Sequence, residues 1–218
     1  MDFFFGRSSG NSLRAAFGLH ESGATFEPRP LDVKAGQNKL PDYLAVNPMG
    51  KVPALTDGHA KLWESNAINW YLAEKHPQAK LLPTALEDRA AVQRWMFFQA
   101  AHVTPAAVPV FRATHPKISA LFGAPDPHAV EAGRTELARF LPVLDQQLAG
   151  REWLETAFSL ADVAHAPHLW ILADAGFDFS KLPNLRAWLD RVCARPAFGK
   201  AVAMVYGDGW SARPSAPK

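Results

Sequence analysis

The segment Asn47–Leu55, with the sequence Asn-Pro-Met-Gly-Lys-Val-Pro-Ala-Leu, constrains the fold of this chain more than any other segment. Pro48 and Gly50 end any helix before them, because proline biases its predecessor away from helix and glycine accepts turn geometries. Pro53 begins a short apolar run that we interpret as a strand, and it must lie at the start or edge of a sheet because it donates no ladder hydrogen bond. The main-chain N–H and C=O of Val52 are then left at a sheet edge, where they can pair with an extended peptide.

A helix is predicted to begin at Glu64-Ser65, after a turn at Asp57-Gly58. The first turn of a helix offers unpaired N–H groups and the positive end of the helix dipole, and both favour a bound carboxylate. The two segments together predict a peptide-binding edge beside an anion site.

The segments Asn47–Leu55 and Glu64–Leu72 resemble the glutathione-binding half of cytosolic glutathione transferases, and the resemblance extends over nearly the whole chain. It implies that the Val52–Pro53 bond is cis and that the main chain of Val52 pairs with the cysteinyl part of glutathione. It also implies that Glu64 and Ser65 hold the γ-glutamyl end. The alternative interpretations are a plain strand-start proline and a plain Glu-Ser helix start.

Composition and charge narrow the class of protein. The chain has 218 residues, 48% hydrophobic and 20% charged, with a net charge of +2 and no basic run, which argues against nucleic-acid and anionic membrane partners. No apolar run reaches the length of a membrane span and no signal peptide is evident, so we expect a cytoplasmic protein. A single cysteine excludes a disulfide framework, and the scattered histidines make a metal site improbable.

The hydrophobic pattern predicts an α/β domain followed by an all-α domain. The β-α-β-α-β-β-α order of the first half is that of a thioredoxin-like domain. We predict this glutathione-binding domain at 1–76, a linker at 77–86 and an all-helical domain at 87–218. The predicted elements of the first domain are strands at 2–5, 25–31, 53–56 and 61–63 and helices at 12–22, 39–46 and 64–76.

Strand signals are absent after the linker, and prolines and capping residues indicate where the helices begin and end. A long helix from Glu87 to about Thr104 must be kinked or broken by Pro105 and Pro109, and 116–125 is interpreted as a loop. Asp126-Pro127 is a helix start, and Ser159 with Asp162 forms a capping box. Helices at 183–194 and 196–205 and a tail at 207–218 follow.

The loop after the first strand contains the candidate catalytic residues. Glutathione must be ionised to attack an electrophile, and lowering its thiol pKa from ~8.5 to ~6.5 requires about 2.7 kcal/mol of thiolate stabilisation. The loop has no tyrosine or cysteine, and its donors are Ser8, Ser9, Asn11 and Ser12. It resembles the Ser/Thr-x-Asn loop of bacterial, Nu- or theta-like transferases, which implies that Ser9 donates to the sulfur and Asn11 assists. Alternatively, Asn11 or Ser12 simply caps the first helix, and which of the four faces the sulfur stays open.

The family resemblance extends to further residues and to assembly. Lys39 and Lys51 are candidates for binding the glycyl carboxylate, although they also fit solvated surface lysines. The electrophile is expected between the loop and the helical domain, with Phe98, His102, Pro105 and Trp210 as candidate contacts that could equally be core residues. A homodimer with active sites bordering the subunit interface is implied.

The leading hypothesis is a glutathione transferase in which the glutathione thiolate attacks a small hydrophobic electrophile. Glutathione is then a co-substrate, and no metal is expected. The alternatives are glutathione-dependent reduction of peroxides or disulfides, a non-catalytic binding module with the same fold, and an isomerase, the last suggested by the zeta-class-like Arg7-Ser8-Ser9.

Overall fold

The protein is described from a computed structural model, which describes residues 1–123, 125–207 and 209–213. The chain forms two compact units. The first comprises residues 1–82 and 196–210, and the second comprises 83–195 and the segment from 211. The end of the predicted tail, 214–218, lies outside the described residues.

A four-stranded sheet lies at the centre of the first unit. Its strands are β1 (Asp2–Gly6), β2 (Glu27–Leu31), β3 (Ala54–Asp57) and β4 (Ala60–Trp63). Their order is β2-β1-β3-β4, with β1 parallel to β2 and antiparallel to β3. The two prolines of β2 are tolerated because β2 is an edge strand, and this strand begins two residues later than the predicted 25–31.

Helices α1 (Gly10–Ser22), α2 (Pro41–Leu44) and α3 (Ser65–Lys75) complete the continuous part of this unit. The predicted helix at 39–46 is shorter, and a single 3₁₀ turn at Gln37–Lys39 precedes it. The last helix, α10 (Pro196–Tyr206), packs on α1 through Phe17 and Phe198, whose ring centroids are 5.1 Å apart. The contacts therefore group α10 with the first unit, whereas chain order alone placed it within the helical domain at 87–218.

The second unit is helical throughout its described secondary structure. Its helices are α4 (Leu86–Phe98), α5 (Thr104–Thr114), α6 (Pro116–Phe122), α7 (Pro127–Gln147), α8 (Leu160–Asp174) and α9 (Pro183–Cys193). Helix α8 is buried along almost its whole length and forms the core of this unit. The predicted fold class, a thioredoxin-like domain with a helical domain, is confirmed.

Two details of this unit differ from the sequence-based expectation. The segment 116–125 is not all loop: Pro116 takes the first position of α6, and Ile118 is the buried residue of this helix. Ahead of Pro105 the chain forms one π-helical turn, Gln99–Val103, and the helix continues as α5 with Pro109 inside it. The wider turn accommodates a proline that cannot donate to the carbonyl four residues earlier.

The predicted capping box at the start of α8 is confirmed. Ser159 Oγ accepts from Ala161 N at 3.2 Å, and the buried Asp162 carboxylate accepts from Ser159 N at 2.9 Å. Leu154 N and Trp188 Nε1 also donate to this carboxylate, at 3.1 and 2.7 Å. Burial nevertheless raises the pKa of Asp162 to about 6, since desolvation of the charged form outweighs these hydrogen bonds.

Candidate active site

The loop between β1 and α1 presents Ser9 at a helix start. Ser9 is the N-cap of α1, and its Oγ accepts from Ser12 N at 3.2 Å. Ser8 has φ 58, a conformation uncommon outside glycine, and its N–H donates to the carbonyl of Val205 in α10 at 3.0 Å. No acidic residue lies in the first turn of α1, so the positive end of the helix dipole at Ser9 is not neutralised locally.

The surroundings of these hydroxyl groups separate their roles. Ser12 is 0% exposed and its Oγ accepts from Gly6 N at 3.2 Å, which makes it a structural link between β1 and α1. Ser9 uses only an oxygen lone pair for capping, so its O–H remains available as a donor. Capping the helix and donating to a thiolate are therefore compatible at Ser9.

Asn11 is connected to the start of α3 by a residue that sequence reasoning missed. Arg14 is only 3% exposed, and its Nη1 donates to Asn11 Oδ1 at 2.7 Å and to Ser65 Oγ at 2.9 Å. Burial lowers the pKa of Arg14 to about 9, and the nearby charge of Glu64 partly offsets this. The available signal was a charged residue between Leu13 and the apolar run that follows it in α1.

The Asn47–Leu55 segment has the predicted geometry at its second proline. The Val52–Pro53 bond is cis, as the family resemblance implied. Among the described residues, no hydrogen bond engages the main-chain N–H or C=O of Val52. Gly6 lies so close that a Cβ there would be 2.9 Å from Val52 Cγ2, which places this open edge beside the start of the Ser9 loop.

Three side chains fix the turn that leads to Val52. Asn38 Nδ2 donates to the Gly50 carbonyl at 2.7 Å, Asn47 Nδ2 donates to the Lys51 carbonyl at 2.7 Å, and Tyr43 Oη donates to the same carbonyl. None of these three side chains is among the site residues predicted from the sequence. Each holds a main-chain carbonyl, so they shape the edge instead of presenting a side chain to it.

The two candidate lysines differ in their surroundings. Lys39 lies against the turn, where its Nζ donates to the Met49 carbonyl at 3.4 Å. A Cβ at Gly50, which has φ 56, would be 2.7 Å from Lys39 Nζ. The side chain of Lys51 is exposed.

The start of α3 has the expected residues in an unusual conformation. Glu64 is the N-cap with φ 67 and ψ 114, and Ser65 is the first helical residue. A non-glycine residue held at positive φ costs about 1–3 kcal/mol, and such strain concentrates at functional sites. Ser65 is buried, whereas Glu64 is exposed.

The four candidate electrophile contacts fall into different units. Phe98 and His102 pack with Phe140 in the second unit, at centroid distances of 5.7 and 5.0 Å from it. Pro105 is exposed near the start of α5 in that unit. Trp210 belongs to the first unit, where it packs edge-on against Tyr206 at 4.6 Å.

Comparisons with known proteins agree with this geometry. The family model described as "Glutathione S-transferase, N-terminal domain" matches residues 1–74, and the "Glutathione S-transferase, C-terminal domain" matches 98–196. The chain is 39% identical over 205 residues to glutathione S-transferase 3 of Zea mays, covering 90% of both chains. The protein belongs to the glutathione S-transferase family.

Two further relatives support this assignment. Glutathione S-transferase F13 of Arabidopsis thaliana is 36% identical over 84% of this chain and 85% of its own. A solved structure of glutathione S-transferase-I, bound with the ligand lactoylglutathione, superposes with a TM-score of 0.84 at 30% identity over 93% of this chain and 98% of that one. The protein is thus a glutathione transferase with glutathione as its co-substrate.

The predicted subtype is not supported. The Ser-Gly-Asn loop suggested a bacterial, Nu- or theta-like transferase, but these relatives are plant transferases of the phi type. The Ser-Gly-Asn pattern is short, and it did not identify the subtype of this transferase.

Two features are absent from the residues that the structure describes. No helix there is long and apolar enough to cross a membrane. Within the same residues, no group of three or more His, Cys, Asp and Glu side chains is placed to hold a metal ion.

Proposed function

We propose that this transferase joins the sulfur of glutathione to a small hydrophobic electrophile, with Ser9 stabilising the thiolate. The observation that carries the proposal is the arrangement around Ser9. Its oxygen is fixed by capping α1, its O–H can still donate, and its loop begins beside the open main chain of Val52.

Glutathione is proposed to bind as an extended peptide along this edge. The cysteinyl part pairs with the main chain of Val52, ahead of the cis Pro53. Ser65 and the N-terminus of α3 bind the γ-glutamyl carboxylate, and Glu64 accepts from the ammonium group. Lys39 and Lys51 contribute positive charge for the glycyl carboxylate.

The reaction needs no covalent enzyme intermediate. The thiol proton leaves to solvent as Ser9 and the N-terminus of α1 stabilise the sulfur anion. The thiolate then forms a bond to the electrophilic carbon, and the displaced group leaves with its electron pair. Asn11 assists through its amide N–H groups, since its Oδ1 is already an acceptor for Arg14.

Electrophile binding and assembly belong to the same proposal. Phe98, His102, Pro105 and Trp210 are proposed to contribute apolar contacts to the electrophile. On the family resemblance we also propose a cytoplasmic homodimer with a role in detoxification. The exposed apolar side chains of Met49 and Phe97, at 51% and 69% exposure, are surfaces that such a dimer would cover.

The test compares Ser9→Ala with Ser8→Ala. Ser9→Ala should raise the thiol pKa of bound glutathione and lower kcat at neutral pH by about 100-fold, as expected for loss of one donor to a developing anion. Ser8→Ala should retain the rate, because the Ser9 hydroxyl and not that of Ser8 caps α1.

Assays against an aromatic halide and an organic hydroperoxide identify the reaction. Conjugation of the halide with loss of rate in Ser9→Ala supports the proposal. A wild-type rate in Ser9→Ala would contradict the role of Ser9, and turnover of the hydroperoxide alone would favour the reductase alternative.

A further inference from the structure

The two halves of the proposed glutathione site share one buried cation. Arg14 Nη1 bonds to Asn11, next to the sulfur-binding loop, and to Ser65, at the start of α3. Along the chain, Ser65 is 51 residues from Arg14, whereas Asn11 is only three residues from it. A planar guanidinium with donors at fixed angles sets the separation of the groups that it binds.

We propose that Arg14 is a positioning residue that keeps the sulfur-binding loop and the glutamyl-binding helix start at a fixed separation. This inference rests on the proposed function, because it concerns the same site. In this proposal Arg14 acts on glutathione through Asn11 and Ser65, which its Nη1 contacts.

The direction of the hydrogen bonds gives this arrangement its chemical effect. A guanidinium only donates, so it occupies Oδ1 of Asn11 and a lone pair of Ser65 Oγ. The Asn11 amide N–H groups and the Ser65 O–H then remain as donors, polarised by the cation behind them. One buried positive charge thereby polarises neutral donors for two anionic groups of glutathione, the thiolate and the γ-glutamyl carboxylate.

The burial of Arg14 supports a role in ligand binding beyond packing. Asn11 and Ser65 are neutral acceptors, and burial lowers the pKa of Arg14 although the charge of Glu64 partly offsets this, so its charged form is less stable than in water. An anion bound beyond either acceptor offsets this cost. An apolar side chain of similar length could fill the same space without any such cost.

The first experiment measures Arg14→Lys and Arg14→Met. Both bonds leave Nη1, and lysine retains the charge but has a side chain one atom shorter, so its Nζ does not reach the position of Nη1 between the two partners. We expect KM for glutathione to rise by about tenfold or more in both variants, as for loss of hydrogen bonds to a charged group. The thiol pKa of bound glutathione, followed by thiolate absorbance against pH, should rise as well.

The matched control is Asn69→Ala. Asn69 Nδ2 donates to the main-chain carbonyl of Arg14 at 2.9 Å, so its loss weakens the packing of α1 on α3 without removing the guanidinium contacts. It should lower the melting temperature while leaving KM and the thiol pKa unchanged. If both variants of Arg14 behave like Asn69→Ala, the positioning role is overturned.

A second experiment needs no substitution at Arg14 and decides the question even where those variants do not fold. Asn11→Ala, Ser65→Ala and the double variant form a cycle for glutathione affinity. Partners of one guanidinium should be coupled, so the double variant should differ from the product of the single effects by about threefold or more. Additive effects would overturn the inference.

The outcome also separates this inference from the proposed function. If saturating glutathione does not raise the melting temperature of the wild-type protein, both fall. If the wild-type protein binds and conjugates glutathione while Arg14→Lys keeps its KM and thiol pKa, only the role of Arg14 is wrong.

Discussion

Arg14 and Asp162 are two buried ionisable side chains, one in each unit, whose charged forms are both made less stable by burial. The pKa of Arg14 is lowered to about 9 and that of Asp162 is raised to about 6. Their partners differ. Asp162 accepts from N–H groups that define a helix start and from Trp188, whereas Arg14 donates to side chains of two segments that are proposed to bind glutathione.

This difference shows how the role of a buried charge follows from its partners. A charge that satisfies local main-chain N–H groups stabilises the fold, and its removal leaves those donors unpaired. A charge that joins exposed or ligand-facing groups from distant segments organises a site. The two units should therefore respond to substitution in different measurements.

The largest effect is expected for Asp162→Ala. It leaves Leu154 N, Ser159 N and Trp188 Nε1 without their acceptor, and the free energy of unfolding should fall by about 4 kcal/mol in denaturant titration. Ser159→Ala, which removes one cap, should cost only about 1 kcal/mol. A rise in KM for glutathione in the folded fraction of Asp162→Ala would contradict the view that Asp162 stabilises the fold without shaping the glutathione site.

A smaller effect is expected from pH. The folded-state pKa of Asp162 is about 6, above its ordinary value of 3.8, so the folded state binds this proton more tightly than the unfolded state. Its contribution to stability is full below pH 4 and is lost as pH rises through 6, by about 3 kcal/mol in total. In Asp162→Asn, the free energy of unfolding should depend less on pH between about pH 4 and 6. An unchanged dependence would mean that other groups cause it.

The smallest effect is expected for Gly6→Ala. The added Cβ would press on Val52 Cγ2 and displace the open edge. KM for glutathione should therefore rise about fivefold, which corresponds to a loss of about 1 kcal/mol in apparent binding free energy. The melting temperature should change little. Gly199→Ala is the control, because a Cβ there meets no atom within 4 Å. Equal KM values for the two variants would show that the Gly6 contact does not shape the edge.

Features encoded by neighbouring residues could be predicted from the sequence. Asp126-Pro127 and the Ser159–Asp162 box are caps whose partners lie within four residues, and both form as expected. The resemblance carried by Val52-Pro53 and Glu64-Ser65 gave the fold and the cis bond. These signals need no knowledge of the rest of the structure.

Features that depend on distant partners could not be predicted. The role of Arg14 requires Ser65, far along the chain, to lie beside α1. Similarly, the helix at 116–122 buries Ile118, and α10 packs on the first unit through the contact between Phe198 and Phe17. Neither contact is evident from the local sequence. Local patterns show where a helix can form but not which surface covers it.

The loop that carries the proposed catalytic serine is held by α10, which is the last helix to be synthesised. The sheet and α1 leave the ribosome long before α10 is made, so a nascent chain carries Phe17 uncovered and Ser8 without its anchor at Val205. We then expect full competence to bind glutathione only after α10 has left the ribosome and packed on α1. A messenger truncated before the codon for Pro196 would encode every proposed glutathione-binding residue. Its product would lack the Val205 carbonyl that fixes the loop at Ser8.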